Sequence, residues 1–244
     1  MKKFVNDPRN FVPEMLQGIA LANPDTLKYI PEYNLIMRAD APHDNKVSII
    51  QGSGSGHEPA HVMAVGTGML DAACPGDVFA APPMDYVYET TKLLNSPMGV
   101  LHIINNYTGD RMAFEMGTEL AEADGITVGT LLVNDDVAVK DSTWTVGRRG
   151  VAGNFFVIKA VGAASEQGAD LEELLRIGNK VNSVTRTMGD NQVTIKYTGT
   201  IAGDTITGSM EVPGRDGGDP MKRDWTATRG AASDAAAPAP APAQ

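Results

Sequence analysis

The sequence predicts an α/β fold, with a mostly parallel sheet and crossover helices followed by a short β-hairpin. Short apolar runs alternate with helical patterns from about residue 10 to residue 185. The runs 46–51, 99–104 and 126–133 are largely apolar and β-branched, which is typical of strands covered on both faces. After Met188 the pattern changes, and this divides the chain into an α/β domain (1–188), a β-rich segment (189–230) and a tail (231–244).

Each of the three predicted strands is followed directly by a polar loop, at 52–57, 105–110 and 134–141. In parallel sheets, ligands bind in the crevice beyond the carboxyl ends of the strands. The three loops are therefore the candidate site. The residues "EPAHVMAVGTGML" after the first loop predict a helix, with His57 at its N-cap and Pro59 in its first turn.

Two further helices are predicted at 154–167, capped by Asn154 or Gly153, and at 170–182, capped by Asp170. Beyond Met188, "QVTIKYTGTIAGDTITGSMEVPG" alternates polar and apolar residues around an "AGD" turn, which predicts a hairpin. One more short strand is expected around Trp225. The Ala/Pro composition of the tail predicts disorder.

Composition limits the classes of partner. A net charge of −10 with no basic cluster argues against nucleic acid and anionic membranes. No segment approaches the roughly 20 apolar residues that a membrane span needs. The single cysteine, Cys74, forms neither an internal disulfide nor a metal site, and this predicts a cytoplasmic protein.

The glycine-rich stretch "GSGSGHEP" at 52–59 matches no nucleotide motif. It lacks the lysine of a P-loop, its third glycine comes one position too early for the dinucleotide pattern, and neither serine has the glycine spacing of a nucleophile elbow. What remains is a polar pocket at a strand end, where backbone N–H groups could bind a ligand oxygen and His57 could exchange a proton. Taken alone, a tight turn with a capping histidine explains the stretch equally well.

Asp110 follows the next strand, where a carboxylate is either an ordinary helix cap or a candidate base. Two polar strand ends in one sheet favour a site more than either does alone. The acids Asp135, Asp136 and Asp141 match no calcium-binding pattern, and a solvated turn is the preferred interpretation.

The remaining candidates have mainly structural interpretations. The "GRRG" at 147–150 could clamp an anion, although structural hydrogen bonds are the commoner role of such a pair. His61 is predicted to support His57 or to pack. His43 and His102 show no partner in the sequence.

Six motifs together resemble the dihydroxyacetone kinase family, specifically its dihydroxyacetone-binding (DhaK-type) subunit or domain. They are "MRADAP" at 37–42, "GSGSGHEP" at 52–59, "ACPGDVF" at 73–79, "NYTGD" at 106–110, "NDDVAVKDS" at 134–142 and "GRRGVAG" at 147–153. The resemblance runs from Met1 to about Met188, and the last ~55 residues fall outside it.

The resemblance implies a homodimeric subunit that binds dihydroxyacetone (glycerone) or a similar triose for phosphoryl transfer. It implies a catalytic pair, Asp110 and His57, and further substrate contacts from Gly54, Ser55 and Asn105, where Asn105 stands in place of the family's usual lysine. It implies no cofactor or metal on this chain. The phosphate would come from ATP on a separate domain, or from a phosphoprotein-fed ADP on a partner subunit of the phosphotransferase system.

The resemblance also implies a covalent substrate histidine in a second subdomain, but the last histidine of this chain is His102. Three functions stay open on the sequence: a kinase subunit, a non-catalytic ketose-binding or sensory paralogue, and a truncated inactive fragment with a foreign tail.

Overall fold

The computed structural model describes residues 5–136, 146–150, 152–184, 196–202, 205–212 and 221–228. The chain divides into two compact units, Met1–Thr187 and Met188–Gln244. The predicted disordered tail, 231–244, lies outside the described residues.

The first unit contains a six-stranded mixed sheet in its described part, with strand order β1-β2-β5-β3-β7-β8. Strands β5, β3, β7 and β8 run parallel, whereas β1, β2 and β5 pair antiparallel. A separate parallel ladder joins β4 and β6. The strands are β1 (Leu27–Ile30), β2 (Leu35–Arg38), β3 (Ser48–Gln51), β4 (Gly54–Ser55), β5 (Ala72–Ala73), β6 (Gly76–Val78), β7 (Val100–Asn105) and β8 (Val128–Val133).

Helices cover both faces of this sheet. The helices are α1 (Phe11–Ala22), α2 (Met84–Leu93), α3 (Thr108–Ala123), α4 (Gly153–Glu166) and α5 (Leu171–Val184). One core cluster packs α1, α4 and α5 against the sheet, with Leu16, Ile158 and Leu174 fully buried. The other packs α2 and α3, through Val87 and Phe114. The predicted α/β class is thereby confirmed, and the strands β3, β7 and β8 run on apolar residues because both of their faces are covered.

The predicted helix after the glycine loop is wrong. Residues 57–61 form turns, and the only helical piece between β4 and β5 in the described chain is a 3-10 turn at Val62–Ala64. The apolar side chains of this segment, such as Val62 and Leu70, fill the core from an irregular backbone. Gly68, with a φ of 71°, turns the chain where a helix would have continued.

The helices α4 and α5 lie close to their predicted bounds but begin in different ways. Asp170 caps α5 as predicted, because its Oδ1 accepts a hydrogen bond from the Glu173 N–H at 2.9 Å. Helix α4 has neither predicted cap. Its first N–H, on Gly153, donates instead to the Asp135 carboxylate at 2.7 Å, so a residue from the loop after β8 performs the capping.

A buried ion cluster ties the sheet to the far end of α4. Asp71 accepts from Lys46 Nζ at 2.8 Å, from Arg38 Nη1 at 3.2 Å and from the Ile49 N–H at 2.8 Å. Glu166 accepts from Arg38 and from Lys46. The cluster stabilises the first unit at the end opposite to the carboxyl ends of the strands. Cys74, fully buried beneath the glycine loop, is a free thiol.

The second unit contains a three-stranded antiparallel sheet with order β11-β10-β9. Strands β9 (Lys196–Ala202) and β10 (Thr205–Val212) form the predicted hairpin, and β11 (Met221–Thr228) includes Trp225, around which a further strand was predicted. Among the described residues of the whole chain, no helix is both long enough and apolar enough to span a membrane.

Candidate functional site

A cavity of about 750 Å³ opens beyond the carboxyl ends of β3 and β7. The loop after β3, the start of α3, the 146–150 segment and the start of α4 contribute its wall. Its lining residues are Ser53, Gly54, His57, Ala60, His61, Phe79, Ala81, Asn105, Tyr107, Thr108, Gly109, Asp110, Arg149, Gly150, Ala152, Asn154 and Phe155. The location is the one that the sheet topology predicts for a ligand.

The glycines of the loop allow the backbone to pack where a side chain would not fit. A Cβ on Gly54 would lie 2.7 Å from the backbone N of Ala80, and one on Gly52 would lie 2.2 Å from the Cys74 carbonyl oxygen. This close packing carries the chain over to His57, whose exposed ring lies 5.1 Å from the Phe79 ring. The loop therefore presents His57 at the cavity wall from a tightly packed base.

Asp110 is the buried acid of the cavity, with 2% of its surface exposed. Burial raises its pKa to about 6, although a hydrogen bond from Ser53 Oγ at 2.8 Å opposes the shift. The alternative that Asp110 merely caps α3 is wrong, because Tyr107 occupies the N-cap and Asp110 is the third residue of the helix. A carboxylate with a pKa just below neutrality is suited to accept a proton from a ligand hydroxyl.

Four buried polar side chains form a hydrogen-bonded group at the cavity wall, and three of them line the cavity. Gln51 Nε2 donates to Asn105 Oδ1 and to Asn154 Oδ1, both at 3.1 Å. His61 Nδ1 lies 2.6 Å from Gln51 Oε1, and Asn105 Nδ2 lies 3.2 Å from His61 Nε2. Burial, followed by the nearby His57, lowers the pKa of His61 to about 4. His61 thus supports Asn105 at the wall.

The segment 146–150 is bound to the end of β7 by Asn106. The Asn106 Nδ2 group donates to the carbonyl oxygens of Val146 at 2.7 Å and Arg148 at 2.5 Å. This places Arg149 at the cavity, where its guanidinium lies 5.3 Å from the centre of the Tyr107 ring and donates to the Gly147 carbonyl. Arg149 makes the structural contacts considered for "GRRG" and also lines the cavity, whereas its role as an anion clamp stays a prediction.

The structure brings Gly54, His57, Asn105 and Asp110 together but leaves Ser55 outside the cavity lining. The Ser55 hydroxyl donates to the Gly76 carbonyl at 2.6 Å, because Ser55 belongs to the β4–β6 ladder. Ser53 lines the cavity instead. Sequence analysis also missed Gln51, for which the available signal was a polar residue at the end of an otherwise apolar strand.

Other sequence candidates lie away from the cavity. His102 is fully buried between the Thr91 and Thr118 hydroxyls, and burial lowers its pKa to about 3. His43 lies 3.6 Å from Asp40. Asp141 falls outside the described residues. In the ranges that the structure describes, no three His, Cys, Asp or Glu side chains are grouped so that they could bind a metal ion.

The comparison with protein families shows to which family this chain belongs. The model of the Dak1 domain matches residues 17–211. The chain belongs to the Dak1 family. The match covers all the cavity residues and continues past Met188 through β9 and most of β10, so the family-related part extends further than the six motifs indicate.

Curated relatives of this Dak1 chain include dihydroxyacetone-binding DhaK subunits. The chain is 48% identical over 189 residues to the DhaK subunit of PTS-dependent dihydroxyacetone kinase 1 from Listeria innocua, covering 78% of this chain and 57% of the relative. It is 46% identical over 190 residues to the DhaK subunit of the PEP-dependent dihydroxyacetone kinase of Escherichia coli, covering 78% of this chain and 53% of the relative.

The fold is also that of a solved kinase. The dihydroxyacetone kinase of C. freundii, in complex with AMP-PNP and Mg²⁺, matches with a TM-score of 0.70 and 31% identity, covering 90% of this chain and 38% of that one. The Dak1 chain thus spans a little over half the length of the two curated relatives and a smaller share of the C. freundii enzyme.

Proposed function

We propose that the chain is the substrate-binding part of a dihydroxyacetone kinase and binds dihydroxyacetone, or a similar short ketose, in the cavity. The observation that carries the proposal is Asp110, a buried carboxylate whose pKa lies near 6, facing a cavity whose wall also presents His57. High identity to two dihydroxyacetone-binding subunits supports the choice of ligand.

In this proposal Asp110 accepts the proton of a ketose hydroxyl as that oxygen attacks the phosphorus of a donor. The new oxygen–phosphorus bond forms while the bond from phosphorus to the leaving oxygen of the donor breaks. His57 and the second amide N–H of Asn105 orient the ketose by hydrogen bonds, with Gly54 allowing close approach of the backbone.

The phosphate donor is proposed to be ATP on a partner domain, or ATP that a phosphoprotein of the phosphotransferase system regenerates from ADP bound on a partner subunit. The names of the two DhaK relatives assign them to PTS-dependent and PEP-dependent kinases, and the C. freundii enzyme was solved with a nucleotide analogue. The glycine-rich loop matches no nucleotide motif and packs against Phe79 and Ala80, which supports placing the nucleotide elsewhere. The proposal includes a cytoplasmic homodimer, and light scattering measures its mass.

The alternatives of a sensory paralogue and an inactive fragment are not favoured. The curated relatives at 48% and 46% identity are kinase subunits, and the cavity retains both His57 and Asp110.

The test has two parts. Calorimetry measures the binding of dihydroxyacetone to the chain, and a coupled assay with the nucleotide-binding partner subunits of a DhaK relative measures dihydroxyacetone phosphate. We expect His57→Ala to weaken binding by about tenfold, the value of one lost hydrogen bond. Asp110→Asn should lower turnover by about 100-fold with little change in binding, because it removes the proton acceptor.

His43→Ala is the matched control, since His43 lies beside Asp40 and away from the cavity. It should leave both measurements unchanged. If His57→Ala binds the ketose with unchanged affinity, the cavity is not the ketose site. If Asp110→Asn keeps its turnover, Asp110 is not the base.

A further inference from the structure

The hydrogen bonds among Gln51, His61 and Asn105 form a closed cycle. Gln51 binds His61, His61 binds Asn105, and Asn105 binds Gln51, at 2.6, 3.2 and 3.1 Å. Gln51 is fully buried, and Asn105 and His61 are 5% and 7% exposed. Buried polar groups at such positions need complete pairing, because an unmatched donor or acceptor there costs its full desolvation free energy.

The cycle determines the state of the imidazole. Gln51 Nε2 faces two carbonyl oxygens, those of Asn105 and Asn154, and is therefore a donor. Its Oε1 must then accept from His61 Nδ1–H, which leaves His61 Nε2 as the acceptor for Asn105 Nδ2. Within the cycle, each member donates one hydrogen bond and accepts one, and Gln51 donates a second one outside it, to Asn154. An imidazolium donates from both nitrogens, so it would require acceptors from Gln51 and Asn105 together and would break the bond between them.

We propose that Gln51 and His61 are positioning residues that hold the Asn105 amide in one orientation at the cavity wall, with His61 as the neutral Nδ1–H tautomer. The Asn105 Oδ1 accepts a hydrogen bond from Gln51, and one of its two amide N–H groups donates to His61. Its second N–H has no hydrogen-bond partner among the described residues and belongs to a side chain that lines the cavity.

The consequence for recognition rests on the proposed function. The inner wall offers an uncharged amide donor whose direction is fixed before the ligand arrives, and this reduces the entropy lost on binding. Such a donor suits the carbonyl or hydroxyl oxygen of a neutral ketose. The other titratable side chains that line the cavity are His57, Tyr107, Asp110 and Arg149, and none of them makes a hydrogen bond to the cycle among the described residues.

The first test needs no ligand. Selective ¹⁵N labelling reports the tautomer of His61 and the two side-chain amide protons of Asn105 in the full chain. We expect a neutral His61 with the proton on Nδ1 from pH 5 to 8, and two well-separated Asn105 amide protons that exchange slowly. A His61 that titrates near pH 6.5, or Asn105 amide protons that are averaged, would overturn the proposal.

The second test breaks the cycle with an isosteric change. Gln51→Glu replaces the donor to Asn105 with a carboxylate oxygen, which should charge His61 and release Asn105. His61 should then titrate between pH 6 and 8, and the affinity for dihydroxyacetone should fall by about tenfold. His61→Phe keeps the ring and removes both nitrogens, and should reduce the affinity to a similar extent without any titration.

His102→Phe is the matched control, because His102 is an equally buried histidine with two hydroxyl partners and no place in the cavity. It should lower thermal stability as much as His61→Phe does and leave the affinity within about twofold. Equal affinities for both histidine variants would overturn the positioning role. If the unchanged protein binds no dihydroxyacetone, the proposed function fails. The spectra of His61 and Asn105 would still show whether the hydrogen-bonded cycle forms.

Discussion

At the residue scale, the chemical character of the cavity depends on which polar side chains are buried at its wall. Sequence position made His57 and Asp110 candidates because each follows a predicted strand, and the structure places both at the cavity. It could not separate Ser53 from Ser55: both are small hydroxyl residues in the same glycine loop, and only the β4–β6 ladder turns Ser55 toward Gly76. The orientation of a side chain in such a loop depends on pairing with residues more than 20 positions away.

The buried carboxylate of Asp110 should make stability depend on pH. The pKa of Asp110 in the folded state, about 6, lies above the ordinary value of 3.8 for an aspartate, so its protonation stabilises the fold below about pH 4. That contribution is lost as the pH rises through 6. Asp110→Asn should therefore raise the free energy of unfolding at pH 7.5 by about 1 to 3 kcal/mol, and the difference should vanish near pH 3.5.

Thermal unfolding of both proteins across this pH range measures the effect. Ser53→Ala is the companion variant: it removes the hydrogen bond that opposes the shift, so its stability should continue to fall to a higher pH than that of the unchanged protein. An asparagine variant that is less stable at pH 7.5 would contradict the expected penalty of the buried charge.

At the element scale, the regular strands and helices were predicted correctly from their apolar patterns, whereas the irregular segment after the glycine loop was not. The strands β3, β7 and β8 were found because they are largely apolar runs, and the helices α4 and α5 because their apolar residues repeat with helical spacing. The segment after the glycine loop was predicted as a helix from the same kind of evidence. Its apolar residues report burial against the core, which an irregular chain achieves as well as a helix does.

The start of α4 should matter for binding as well as for stability. Asp135→Ala removes the carboxylate that caps Gly153 N–H and should lower the free energy of unfolding by about 1 kcal/mol. Because Asn154 and Phe155 of the cavity lie in this first turn, the affinity for dihydroxyacetone should also fall. Asp170→Ala, which uncaps α5 at a distance from the cavity, should cost similar stability and leave the affinity unchanged.

The ion cluster at the other end of α4 should carry much of the stability of the first unit. Asp71→Asn leaves the buried cations Arg38 and Lys46 with Glu166 as their remaining shared carboxylate. We expect the free energy of unfolding to fall by about 3 kcal/mol in urea titrations. Asp7→Asn, in the exposed pair with Arg9, is the control and should not move the midpoint. Equal midpoints for the two variants would show that the cluster adds nothing.

At the scale of the whole molecule, the sequence predicted the α/β class, which the structure confirms, together with domain bounds and a ligand site that stay predictions. It did not predict the order of the strands or the antiparallel β1 and β2 at the sheet edge. Strand order depends on contacts between segments that are distant in the sequence, such as the ion pair of Arg38 with Asp71. The local periodicity of the sequence does not indicate such contacts.

Because every cavity residue lies in the first unit, we expect that unit to fold and bind without the second. A chain ending at Thr187 should unfold in one cooperative transition and bind dihydroxyacetone within about twofold of the full chain. Circular dichroism and calorimetry measure the two properties. Loss of cooperative unfolding would instead make the second unit part of the folding unit.

The burial of Cys74 has a practical consequence for labelling. Burial raises the pKa of this thiol to about 12, and no part of the residue reaches solvent. The folded protein should therefore remain inert to maleimide and iodoacetamide at neutral pH. A cysteine introduced on the exposed face of α3, for example Met116→Cys, would be the sole reactive thiol of the native chain. A fluorophore attached there would report on the helix that carries Asp110, with no signal from a labelled Cys74.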